Sequence, residues 1–159
     1  MNAMDVIILN FQEIRSRSER VWKAIPDEML DWKPDNEAFT CAEMIRHILQ
    51  AEFLYHQVLI GRGGKILADV FNPFEGKAFI SVENELQFAK PYREKFLTYL
   101  QSIPIDDLEN IDIDLLEAGG YVKKLGDMLL RIAYHESVHT GQLLNYMRTM
   151  GVDRPHIWN

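Results

Sequence analysis

In the stretch Tyr134-His135-Glu136-Ser137-Val138-His139-Thr140-Gly141-Gln142-Leu143, two histidines stand four residues apart. At about 100° of rotation per helical residue they fall one turn apart on one face, so both imidazoles can reach a single metal ion. Met128, Ile132, Leu143 and Tyr146 step with them by three and four, which predicts an amphipathic helix with His135 and His139 on its inward stripe. Imidazoles in an apolar interior need partners, because an unpaired buried polar group costs roughly 1–3 kcal/mol. A shared ion supplies them. The other solution is one core histidine bonded to a carbonyl or water, beside a partly exposed neighbour.

Upstream, Thr40-Cys41-Ala42-Glu43 has the form of a capping box and predicts a helix from Thr40 to about Ile60, ahead of Gly61-Arg62-Gly63-Gly64. Its stripe is Met44, His47, Ala51, Leu54 and Val58, widened by Ile45, Ile48, Leu49 and Tyr55, which suits a central helix and turns His47 toward the core. His56, nine residues later, is rotated by about 180° and cannot serve the same site. Two facing helices with axes roughly 8–10 Å apart can close His47, His135 and His139 around one divalent ion. Three protein ligands leave a coordination position open, as catalytic sites do.

Other residues near this constellation have chemical and structural readings. Gln142 lies within about 20° of His135 on the helix face, so it is the candidate catalytic group to bond a ligand at the open position; a buried amide bonded to a neighbouring helix is its structural alternative. Glu43 could orient His47, but capping accounts for it. Cys41, near a helix N-terminus, reads better as a small buried residue than as a reactive thiol. His135-Glu136-Ser137-Val138-His139 satisfies H-E-x-x-H, in which the Glu would be a protease base. No suitable third ligand follows, and no strand pattern offers an edge to a peptide.

Four helices must position these groups. The first is expected over Met4–Ala24, with the stripe Ile7, Ile8, Phe11, Ile14, Val21 and Ile25; the third over Ser81–Gln101, kinked at Pro91; the fourth over Lys124–Met150, ending at Gly151. Trp32, in the Pro26–Asn36 connection, is expected to plug that loop onto the helices. Residues 61–80 form a long connection, either a packed surface loop or a lid over one end. Residues 102–121 form an acidic one, with a short strand-like or helical piece near Ile111–Leu116 and no calcium-loop spacing. Four helices, two long connections and no alternating strand pattern give an all-α four-helix bundle in one domain, 1–159.

The formal net charge of −7 argues against a nucleic-acid partner. No run of about 18 apolar residues suits a membrane, the N-terminus lacks signal-peptide character, and one cysteine forms no internal disulfide, so a cytoplasmic protein is expected. Ile7, Phe11, Val21 and Trp22, with Ile45, Leu49 and Tyr55, put apolar residues on more than one face of the first two helices. A homodimer burying the second face is expected, with the open metal position at a mouth lined by the 61–80 crossover; the alternative is a monomer in which that crossover covers the second face.

Trp32-Lys33-Pro34 before a capped helix, Met44-Ile45-Arg46-His47-Ile48 followed by Glu52, and His135-x-x-x-His139-x-Gly141-Gln142-Leu143 with Gly151 and Pro155 resemble the DinB/YfiT-like superfamily of metalloproteins. The resemblance spans nearly the whole chain. It implies an up-and-down four-helix bundle with a long crossover, frequently homodimeric, holding a divalent metal on His47, His135 and His139. Related members include bacillithiol- and mycothiol-dependent S-transferases, so it implies a small-molecule substrate and a low-molecular-weight thiol activated at the metal. A metal-dependent hydrolase and a non-catalytic metal-binding or stress-related interaction domain are the alternatives. Three imidazoles suit Zn or Ni, and also Cu or Fe.

Overall fold

The computed structural model describes residues 1–158, so of the expected 1–159 domain only Asn159 lies outside the described residues. Four long helices carry the chain: α1 (Ala3–Lys23), α2 (Cys41–Gly61), α3 (Val82–Ser102) and α5 (Leu125–Met150). A single turn, α4 (Asp107–Asn110), and an antiparallel hairpin of β1 (Asp112–Asp114) and β2 (Val122–Lys124) stand between the last two. The chain is thus mostly helical with a small two-stranded sheet, not purely α. Three-residue strands are too short to show an alternating pattern.

Local chemistry sets the helix ends. Thr40 Oγ1 accepts the Glu43 amide at 3.1 Å while the Glu43 carboxylate accepts the Thr40 amide at 2.8 Å, the expected capping box. Asn2 and Asp5 form a second one at the start of α1, where the sequence suggested only a favourable charge at Asp5. α5 stops at Gly151, whose φ of 73° an L side chain rarely adopts. α3 continues through Pro91. Pro91 and Gln87, whose carbonyl loses its donor, both face solvent, so water can replace the missing bond.

Specific pairs fix the helix directions. Arg15 meets Glu136 and Ser18 meets Thr140, so α1 and α5 run parallel. Arg46 meets Glu85, Arg93 meets Glu52 and His56 packs on Phe96, so α2 and α3 are also parallel. Phe11 on Phe96 and Lys23 near Glu83 make α1 and α3 antiparallel. The order is up, down, down, up instead of alternating. A parallel α2–α3 pair requires residues 62–81 to travel back along a helix about 30 Å long, which explains their length.

Each long helix crosses two apolar clusters. One gathers around Phe11, Phe96, Leu100, Ile113 and Leu129, the other around Trp22, Ile45, Ile48, Leu143 and Met147. Between them every helix supplies polar residues: Arg15 and Ser18, Glu52, Arg93, and Glu136 with Thr140. Ile7, Phe11, Val21, Trp22, Ile45 and Leu49 are all buried within one chain, and Tyr55 is half-buried. The apolar faces cited for a second copy are therefore already covered. Trp32 plugs its loop as expected, meeting Tyr146 edge-on at 5.4 Å.

Candidate metal centre

α2 and α5 pack antiparallel, and their facing surfaces bring His47 to His135 and His139. The His47 and His135 Nε2 atoms are 3.0 Å apart, and those of His135 and His139 3.1 Å. Tetrahedral nitrogen ligands at about 2.0–2.1 Å from one ion stand roughly 3.3 Å from each other, so the three nitrogens could hold a metal with little adjustment. Among the described residues they form the one cluster of metal-ligand type with its ligand atoms all within 4.8 Å.

The histidines lie at the edge of the buried stripe of α5 and not at its centre. Ile132, Glu136, Thr140 and Leu143 occupy the centre, while His135 and His139 are half-buried beside them. Half-burial favours a working site, since one side of each ring keeps a path to solvent. Burial, with His139 and His47 beside it, pulls His135 down to about 4 against the opposing charge of Glu136; burial and then His139 also lower His47. Both rings are neutral near pH 7, the form that ligates a cation.

Gln142 Oε1 lies 2.6 Å from His139 Nδ1 and accepts its N–H. That bond fixes the tautomer that leaves Nε2 bare toward the cluster. The expectation for Gln142 was a bond to a ligand at the open position; the structure gives it the back of His139 instead. The Phe39 ring stands 5.2 Å from His47, and Tyr55 6.1 Å from His135. The 61–80 crossover does not flank the histidines. Its Phe74 packs on Phe53, Phe88 and Tyr92, and the Lys77 carbonyl accepts from Arg46, all on the α2–α3 face.

Glu136, the would-be protease base, is buried and bound by Arg15, which donates Nε to its Oε1 at 2.9 Å and Nη2 to its Oε2 at 2.8 Å. Burial alone would raise the Glu136 pKa; the charge of Arg15 overrides it and holds the group below the usual carboxylate range. An engaged, stably ionised carboxylate is a poor proton shuttle. Burial pushes the Cys41 thiol up to about 11, so it is an inert core residue. His56 packs between Phe96 and Tyr99, and His156 lies in the C-terminal tail, where its carbonyl accepts from Arg20.

The cationic stretch Arg15-Ser16-Arg17 with Arg20, interleaved with Glu13 and Glu19, reads in the sequence as a solvated helix face. Arg15 is instead buried and paired with Glu136 and Glu52. Ser18 and Arg93 escaped the sequence reading, and Glu52 entered it only within a family pattern. The available signal was periodic: Phe11, Arg15, Ser18 and Trp22 step by three and four, placing a cation on the apolar stripe of α1.

A mostly helical fold with three histidines gathered between two long helices defines a class of candidate metalloprotein. The sequence matches the DinB superfamily over residues 10–143, and the chain belongs to that superfamily. It is 29% identical over 146 residues to the uncharacterised protein YjoA of Bacillus subtilis (strain 168), covering 91% of this chain and 89% of that one. The crystal structure of the DinB-like YjoA superposes with a TM-score of 0.72 over 95% of this chain and 96% of that one, at 22% identity in the superposition. The likeness establishes a shared fold. No described helix is long and apolar enough to cross a membrane.

Proposed function

We propose that the chain is a divalent-metal protein that holds its ion on His47, His135 and His139 and uses it to transfer a thiol to or from a small molecule. The observation that supports this is the convergence of three Nε2 atoms at 3.0 and 3.1 Å, with Gln142 holding His139 in the ligating tautomer. A bound ion would supply positive charge at its open position, where a thiol loses its proton near neutral pH. The residues' part is to present three lone pairs, leave one side open, and offer a partly apolar wall through Phe39 and Tyr55. Zn or Ni suits an all-imidazole set.

A hydrolase reading has less support, because the carboxylate that follows His135, Glu136, is held through both oxygens by Arg15 and is not free to take a proton from an attacking water. Elemental analysis of protein purified without a metal-affinity tag, followed by thiol-transfer assays with low-molecular-weight thiols, tests the proposal. Near-stoichiometric metal with metal-dependent thiol consumption is the expected result. Stoichiometric metal with no turnover of any thiol would favour a non-catalytic metal-binding domain, and absence of metal after reconstitution would refute the site.

A further inference from the structure

We propose that Arg15 is a positioning residue for the three-histidine site: its guanidinium sets the separation of α2 and α5, and with it the geometry in which the three imidazoles meet an ion. This rests on the metal reading above and concerns residues outside the ligand set.

Arg15 projects from α1, which carries no ligand, and bonds a carboxylate on each helix that does. It grips both oxygens of Glu136 on α5 and gives Nη2 to Glu52 Oε2 on α2 at 3.3 Å. Glu136 directly follows His135, and Glu52 is five residues, about one and a half turns, beyond His47. A single planar group thus spans the two ligand-bearing helices, beside the ligand on α5 and about one and a half turns from it on α2. Arg93 of α3 donates Nη1 to the same Glu52 oxygen, Oε2, and gives Nη2 to the Phe11 carbonyl at 2.8 Å, so two guanidiniums on different helices converge on one carboxylate oxygen. Ser18 and Thr140 share a hydrogen bond of 2.9 Å, and Thr140 directly follows His139. Each histidine of α5 is therefore followed by a residue anchored to α1.

Stability alone accounts poorly for this layer. Buried ion pairs are frequently no more stabilising than apolar residues of similar volume, yet here they interrupt a core that is apolar above and below. Their distinctive property is geometric, because a bidentate guanidinium–carboxylate pair tolerates little change in distance or angle. The charges also suit a neighbouring cation. Arg15 and Arg93 are matched by Glu52 and Glu136, so the layer adds no net positive charge beside the histidines.

Co(II) is the probe, titrated into the full-length chain, because its visible absorption reports coordination geometry as well as affinity. The variants are Arg15→Lys, which keeps the charge and loses the fork, Glu52→Gln, and the double variant Arg15→Met with Glu136→Met, which fills the space with apolar groups. We expect each to bind Co(II) roughly 10–100-fold more weakly with shifted absorption bands, as for other residues that orient metal ligands. The double variant should keep the wild-type circular dichroism and unfolding midpoint. A folded double variant with wild-type affinity and spectrum would overturn the proposal. Should that variant not fold, unchanged binding in Arg15→Lys and Glu52→Gln would overturn it equally. Binding lost in His47→Ala but intact in the Arg15 and Glu52 variants would uphold the metal site and reject the positioning role; a wild type that takes up no Co(II) would reject both.

Discussion

No assignment of protons gives all three facing nitrogens a full hydrogen bond. His139 has committed its Nδ1–H to Gln142, so its Nε2 is a bare lone pair aimed at His135. If His135 protonates its own Nε2, that single N–H must be divided between two neighbours; if it accepts from His47, two lone pairs face each other at 3.1 Å. A cation relieves every case. His47→Ala, His135→Ala and His139→Ala should each strip most bound metal, whereas His56→Ala and His156→Ala should leave it, as measured by elemental analysis after gel filtration. Full occupancy in the His47 variant would mean that α5 suffices alone. Gln142→Ala should weaken binding roughly 10–100-fold without removing a ligand, seen by competition against a chromophoric chelator. The three histidines were legible in the sequence because periodicity puts each of them on or beside the apolar side of its helix, though the structure sets those of α5 at the edge of the buried stripe. The duty of Glu136 was not: H-E-x-x-H describes its own helix, and the partner that decides its chemistry stands 121 residues away.

At the scale of the helix, local signals and tertiary pairing divide the work. Thr40, Glu43, Ser81 and Gly151 mark boundaries through short-range hydrogen bonds and backbone conformation, so those ends could be read in advance. Helix direction could not, since it depends on contacts such as Arg93 with Glu52 that carry no local signature. α2 also buries a titratable group outside the site. Burial, then the charge of Lys95, lowers the pKa of His56, whose Nε2 has no hydrogen-bond partner. The unfolded chain therefore binds a proton that the folded chain refuses. This contribution to stability is complete above about pH 6.5 and falls as pH drops toward the lower folded value, with a slope of at most about 1.4 kcal/mol per pH unit. Urea unfolding of wild type and His56→Phe between pH 7.5 and 5.5 checks this: the variant should show the shallower pH dependence, and equal slopes would mean that the fold takes up the His56 proton as readily as the unfolded chain does.

Across the whole molecule, the burial of Phe11 and its neighbours within one chain is itself testable. Phe11 is 2% exposed and meets Phe96 edge-on at 5.1 Å within one chain. Phe11→Ala should cost about 3–5 kcal/mol of unfolding free energy, and the loss should be the same across a roughly hundredfold range of protein concentration. A loss that grew with concentration would return this residue to an interface between copies. The sequence could not assign these residues to the core or to an interface, because an apolar stripe shows how much surface must be covered and not by what. Here the other helices of the same chain cover them.

The parallel pairing of α1 with α5 has a further consequence for how the chain comes off the ribosome. Arg15 and Glu136 are 121 residues apart, so at roughly 5–20 residues per second the first helix waits about 6–24 s for its partner to be translated. During that wait a guanidinium and the apolar groups of Phe11 and Trp22 have no α5 to pack against, and no metal site of the three-histidine kind can exist. The apolar face of α1 must therefore be kept from other partners until α5 has been made, and metal can be captured by the three histidines only after His135 and His139 have been translated.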